Sequence, residues 1–195
     1  MPNSRDGQEL LVLAFERQQD WADWLEEHHS TSPGIWLRLA KKAARIPSVS
    51  YDEAVEIALC YGWIDGQAKG DDEAWWRQKF TRRRAKSVWS RINRDRAEAL
   101  IRSGRMRPAG LEAVEAARQD GRWDAAYEAP STATVPPDLQ AELDNNEQAR
   151  AFFDTLNSAN RYAILWRIQT AKKPETRARR IQQFVEMLAR NETLH

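Results

Sequence analysis

Cysteine is the scarcest residue in this chain: Cys60 is the only one among 195 residues. No internal disulfide can form, which fits a reducing compartment. Glycine and proline number eight each, far below what collagen-like or low-complexity chains carry. No apolar run approaches the roughly 20 residues that span a bilayer, so membrane insertion is not expected. The longest N-terminal run, Leu10 to Phe15, follows a mix of Arg5, Asp6 and Glu9. A secretory signal needs a basic start, an apolar stretch of about 7–15 residues and a small-residue cleavage site, so the run does not read as one. The expected location is the cytoplasm. Histidine is also rare, at three residues.

What is present suits a folded chain. Hydrophobic residues make up 42% and include nine Trp, five Phe and four Tyr, ample area for one substantial core. Charge is nearly balanced at +1 but segregated. Arg77 to Arg107 holds twelve Lys/Arg against Asp95 and Glu98, and Arg167 to Arg180 holds six against Glu175. The remainder therefore carries a net charge of about −14, which implies either internal pairing or a polarised surface with an anionic partner.

The periodicity predicts a helix-rich α+β chain, with a few short strands in the first ~80 residues and an all-helical C-terminal part. Strands are expected at Glu9–Phe15 and Gly34–Ala40, with a short hairpin within Trp63–Lys79. A helix over Gln18–His29 places Trp21, Trp24 and Leu25 on one face. Ser50 and Glu53 form a capping box that opens a helix ended by Gly62. Ser87 or Ser90 caps the next helix, which Gly104 ends, and Leu111–Gln119 follows. The expected organisation is an α+β region over 1–128, a Pro/Thr linker over 129–137 and a helical region over 138–195 that packs on the first.

Several of these stretches match a known pattern. They are Ser50-Tyr51-x-Glu53-Ala54 with Ala58 to Gly66, Phe80-Thr81-x-Arg83-Arg84 with Ser87-x-Trp89-Ser90-x-x-Asn93, Gly104 to Gly110, and Ala171 to Ile181. Together they resemble the YdeI/OmpD-associated (bacteriocin-protection) family of bacterial proteins, over about Trp21 to Leu188. The resemblance implies links to protection against bacteriocins and antimicrobial peptides and to an outer-membrane porin, without an agreed reaction. Members usually carry Pro where this chain has Arg82, which adds positive charge here.

No phosphate-loop, nucleophile-elbow or HExxH pattern is present, and no nucleophile, base and orienter assemble. Cys60 sits near a helix C-terminus on the apolar side, where the dipole opposes a thiolate, and reads as structural. His28 and His29 are neighbours that point apart on a helix, so no metal and no cofactor are expected. Asp65, between Gly66 and Trp63-Ile64, is either an acid/base candidate or an Asx-turn. The strongest signal is the stretch Lys79 to Arg107: Arg82, Arg83, Arg84 and Lys86 come before a capped helix, where arginines make an anion site, and Trp89 with nearby Trp75, Trp76 and Phe80 could stack on bases or sugars. Trp63, Asp65, Arg83, Arg84, Ser87, Trp89 and Asn93 are the ligand-binding candidates, with Trp89, Asn93 and Arg96 at i, i+4, i+7. Arg177 and Arg180 could complete the pocket.

Three functions follow. The first is a non-catalytic binding protein of the bacteriocin-protection type that takes an anionic small molecule or protein partner. The second is an enzyme on a small anionic substrate with Asp65 as acid/base. The third, less favoured, is sequence-tolerant nucleic-acid binding, against which the near-neutral charge argues.

Overall fold

The computed structural model describes residues 10–128 and 132–194. It divides into two compact units: the chain up to Ser87 with Asn93–Trp123, and Val88–Ile92 with the chain from Asp124 onward. Ala129, Pro130 and Ser131 of the expected linker, and Glu9 of the expected first strand, lie outside the described residues.

The first unit opens with strand β1 (Leu11–Ala14), helix α1 (Gln18–His28) and β2 (Ile35–Ala40), followed by α2 (Tyr51–Cys60). The hairpin β3 (Trp63–Gly70) and β4 (Trp75–Arg82) comes next, then α3 (Arg91–Arg102), most of which belongs here, and α4 (Pro108–Gln119). The strands form one four-stranded sheet in the order β1-β2-β4-β3, with β1 parallel to β2 and the other pairs antiparallel.

This corrects the expectation of a few short strands. The strands are joined in a single mixed sheet that reaches Arg82, and both hairpin strands run eight residues. The sequence Trp-Ile-Asp-Gly-Gln-Ala-Lys-Gly in β3 lacks an apolar alternation and breaks its register between Asp65 and Ala68. Its extended shape comes from pairing with β4 rather than from its own side chains, and such pairing leaves a weak signal in a single sequence.

Alternation in β2 is clean: Ile35, Leu37 and Leu39 are buried, while Trp36, Arg38 and Ala40 are partly exposed. Phe80 and Gln78 on β4 lie opposite Ile35 and Leu37 and are buried with them. Against this face α1 sets Trp21 and Leu25, both fully buried. The Trp21 ring lies 5.7 Å from Phe80, 6.4 Å from Trp63 and 5.5 Å from Trp24, in the tilted, edge-on and stacked arrangements aromatics favour. Both buried indoles have acceptors, Trp21 Nε1 donating to the Ala54 carbonyl at 3.1 Å and Trp63 Nε1 to that of His29 at 3.1 Å.

The predicted capping box opens α2: Ser50 Oγ accepts from the Glu53 amide, and Glu53 accepts from the Ser50 amide at 2.8 Å. Gly62 ends the segment with φ +70, and its missing side chain lets the Ala109 carbonyl approach. Pro108 stands in the first turn of α4, which starts three residues earlier than expected.

In the second unit Ser90 bridges Tyr127, with the Tyr127 amide donating to the Trp89 carbonyl at 3.0 Å and the Arg91 amide to that of Tyr127 at 2.8 Å. Four helices follow: α5 (Pro137–Asp144), α6 (Glu147–Thr155), α7 (Ser158–Gln169) and α8 (Pro174–Ala189). Their core gathers Leu139, Leu143, Phe153, Ile164, Ile168 and Leu188. Asn146 and Asn157 cap α6 and α7 by accepting from Ala149 and Asn160 amides. Among the described residues, no helix is long and apolar enough to cross a membrane.

Gly110 is the most tightly enclosed of the described glycines. A Cβ there would fall 2.8 Å from the Leu59 carbonyl oxygen and closer still to the Cys60 carbonyl and Met106 sulfur. Gly110→Ala is therefore expected to destabilise the protein by about 1–3 kcal/mol, as overpacking does. Denaturant midpoints test this, and an unchanged midpoint would contradict the close α2–α4 approach.

Candidate functional site

The ends of four elements of the first unit meet at a cleft of about 470 Å³. His29 and Ser30 follow α1, Tyr61 and Gly62 follow α2, and Arg82, Arg83 and Arg84 follow from the end of β4. Pro108, Ala109 and Glu112 contribute the first turn and a half of α4, and Arg122 completes the wall. Four arginines and one acidic residue, Glu112, thus line it.

Backbone pairing sets three of these arginines. Arg82 lies opposite Trp63 at the last register position of the hairpin, and the Arg83 amide donates to the Gly62 carbonyl at 2.9 Å. The Arg84 amide donates to Ser87 Oγ at 2.9 Å, and the Ser87 amide returns to the Arg84 carbonyl at 2.9 Å, closing a turn. Arg82 Nη1 donates to the Ser30 carbonyl at 3.0 Å, a cation at the negative end of α1. Arg122 is held by Asp120 at 2.7 Å and by the Ser87 carbonyl at 2.8 Å. The Arg84 side chain is exposed and makes no ion pair among the described residues.

The cleft also holds an imidazole and a phenol. His29 Nδ1 lies 2.8 Å from the Leu25 carbonyl; a carbonyl only accepts, so Nδ1 carries the proton of that bond. Tyr61 donates to Glu26 at 2.8 Å, and burial, then Glu26, pushes its hydroxyl above the usual range. In the first turn of α4, Pro108 has no N–H and the Arg107 amide donates to the Cys60 carbonyl at 3.1 Å, so Ala109 brings to the cleft an amide without an intrahelical acceptor. Such an arrangement favours a compact anion with several acceptor oxygens.

The candidates from the sequence scatter. Arg83 and Arg84 line the cleft, and Ser87 serves it as the turn acceptor rather than as the cap of α3, which starts at Arg91. The arginine run therefore meets the N-terminus of α4, not that of α3. Trp63 is fully buried and ties β3 to the end of α1. Asp65 accepts from the Tyr51 hydroxyl at 2.8 Å and does not line the cleft, which separates it from the arginine clamp expected in the enzyme reading. Burial, then Asp65, raises the Tyr51 hydroxyl strongly. Asn93 is partly buried at the start of α3, outside the cleft lining.

Trp89, Arg177 and Arg180 belong to the second unit. Trp89 is buried and precedes α3, so it does not continue a helical face with Asn93 and Arg96. Arg177 grips Asp138 with Nε at 2.6 Å and Nη2 at 2.8 Å, and gives Nη1 to the Ile168 carbonyl at 3.0 Å. Arg180 donates to the Arg167 carbonyl. Both are tied to their own unit.

His29, Tyr61 and Arg122 were not singled out as cleft residues from the sequence. Cys60 is buried, and burial pushes its thiol up, as a structural cysteine requires. Among the described residues, no group of three or more His, Cys, Asp or Glu is placed to hold a metal ion.

Two family models match. A domain of unknown function (DUF8412) covers residues 13–113, just over half of the chain, and the family described as bacteriocin-protection, YdeI or OmpD-associated covers residues 132–191. No curated protein and no solved structure matches. The chain belongs to the first family through its sheet-bearing part, and it is a member of the bacteriocin-protection, YdeI or OmpD-associated family through the helices α5 to α8. The motifs from Ser50 to Gly110 that carried the resemblance fall in the first match, and Ala171 to Ile181 in the second.

The Arg177–Asp138 grip makes a signed prediction. Arg177 holds the Asp138 carboxyl below its ordinary range, so its stabilising effect is full above about pH 4 and fades as pH falls through the lowered value. Asp138→Asn is expected to lower stability by up to about 1 kcal/mol at pH 7, with the gap closing toward pH 3. Denaturation of both proteins across that range checks it; a gap that does not vary with pH would contradict the pairing.

Proposed function

We propose that this protein is a non-catalytic binding protein whose first unit holds a small anion in the arginine cleft. The observation that carries the reading is the convergence of Arg82, Arg83, Arg84 and Arg122 with the first turn of α4 on one cleft. Forked guanidinium donors and a free helix amide complement phosphate or carboxylate oxygens, and the cleft is small enough to surround a metabolite-sized ligand. Asp65 is engaged by Tyr51 outside the cleft lining, so the acid/base role expected of it draws no support from its position.

A role in bacteriocin protection is attached to α5–α8, the segment that matches that family, while the cleft residues lie mostly in the segment of unknown function. On this reading the first unit senses or carries an anion and the second supplies the protective role. A cytoplasmic setting fits the single buried thiol of Cys60.

Thermal melts with pyrophosphate or citrate at low salt test the proposal. A ligand at about 100 times its Kd adds about 2.7 kcal/mol, which raises the midpoint of a chain this size by several degrees. Arg82→Ala/Arg84→Ala is expected to abolish that rise while lowering the ligand-free midpoint only slightly, because both side chains are exposed. No rise with either anion, or an equal rise in the variant, would overturn the reading.

A further inference from the structure

The sheet has a second face that the cleft does not use. Register places Trp36 and Arg38 of β2 beside Lys79 and Arg77 of β4, with Trp75 opposite Ala40 and Lys69 of β3 opposite Arg77. All six side chains keep contact with solvent, while Ile35, Leu37, Leu39 and Phe80 on the other face are buried. Two tryptophans and four cations thus share one surface built on rigid strands.

The cations lie against the rings. Lys69 Nζ is 4.2 Å from the Trp36 ring centre, Lys79 Nζ is 6.0 Å from it, and the Arg38 guanidinium is 4.8 Å from that of Trp75. Asp71 and Asp72 bridge Arg38, and Asp71 also bridges Arg77. The two lysines make no ion pair among the described residues, so they are the mobile charges of the face.

We infer that this face binds single-stranded nucleic acid, with Trp36 and Trp75 stacking on bases and Lys69 and Lys79 meeting phosphates. A base presents a flat π-face and an adjacent negative charge, the pair of features that a ring flanked by lysines complements. Trp36 and Trp75 stand four register positions apart, about 13 Å along the strands, so one strand of nucleotides can reach both rings. Each lysine that now covers Trp36 swings to a phosphate as a base takes its place over the ring. The sequence points to the basic stretch Lys79 to Arg107, with Trp89 and nearby Trp75, Trp76 and Phe80, for nucleic-acid contacts; the surface here lies on the strands and shares Lys79 and Trp75 with it. This inference does not rest on the cleft.

The test uses the full chain and an oligothymidine of about 20 nucleotides, followed by quenching of tryptophan emission at 50 and 200 mM salt. Binding with quenching is expected, weakening as salt rises. Trp36→Ala should weaken it roughly 5- to 150-fold, the measured range for loss of one stacked base, while Trp36→Phe retains most of it. Lys69→Gln/Lys79→Gln, which leaves the buried face untouched, should lower the slope of log affinity against log salt by about 1.4. Arg82→Ala/Arg84→Ala should bind the oligonucleotide as the native chain does, which separates this face from the cleft. Absence of quenching at 50 mM salt would overturn the inference. So would native affinity in both the Trp36→Ala and the double lysine variant, or a heparin complex as tight as the oligonucleotide's and equally insensitive to Trp36→Ala, since heparin has no base to stack.

Discussion

Trp21 and Trp63 are fully buried, and an indole N–H in an apolar core needs an acceptor or costs about 1–3 kcal/mol. The acceptors they find are backbone carbonyls of other elements. Trp21 reaches Ala54 in α2, and Trp63 reaches His29 at the end of α1. The first bond ties α1 to α2 and the second ties the sheet to the end of α1, each satisfying a donor as well. With Phe80 and Trp24 the rings form a continuous aromatic layer between α1 and the strands. Because Trp63 opens β3, the same bond also fixes where the hairpin ends, and hence where Arg82 to Arg84 leave it.

The cleft follows from that constraint. The C-terminal ends of α1 and α2 present carbonyls, and the arginines after β4 face them. Part of this charge is used locally, as Arg82 on Ser30 and Arg122 on Asp120 show. Arg84 stays exposed, and the close packing of Gly62 on Ala109 brings the amide end of α4 to the same place. The arginines and the positive end of α4 offset the negative ends of α1 and α2, which alone would oppose an anion.

Much of this was readable in one sequence where the signal is local. The Ser50/Glu53 box, the left-handed Gly62 and Gly104, and Pro174 in the first turn of the last helix all act within four residues. The arginine run was also legible as a basic cluster. Long-range partners were not. Nothing near Arg177 announces Asp138, which lies 39 residues away, and nothing near Asp65 announces Tyr51 as its donor. Trp63 reads as ligand-facing surface in the sequence because it stands two residues from Asp65, yet it is fully buried and its indole N–H is used on the His29 carbonyl. Arg122 stands in a turn between Gly121 and Trp123 with no pattern to mark it, and only the fold carries it to the cleft. β3 and β4 were underestimated because charges and glycines break their apolar alternation; pairing with β2 restores it across the sheet rather than along the chain.

The central claim is that the arginine cleft, with the first turn of α4, holds an anion. Backbone and arginine side-chain NMR during a titration with pyrophosphate locates binding residue by residue in the native protein. The account predicts saturable shifts of the Ala109 amide and the Arg83 and Arg84 side-chain N–H groups, with the signals of Arg177 and Arg180 unmoved. Shifts centred on Arg177 and Arg180, or none in the cleft at saturating pyrophosphate, would contradict it.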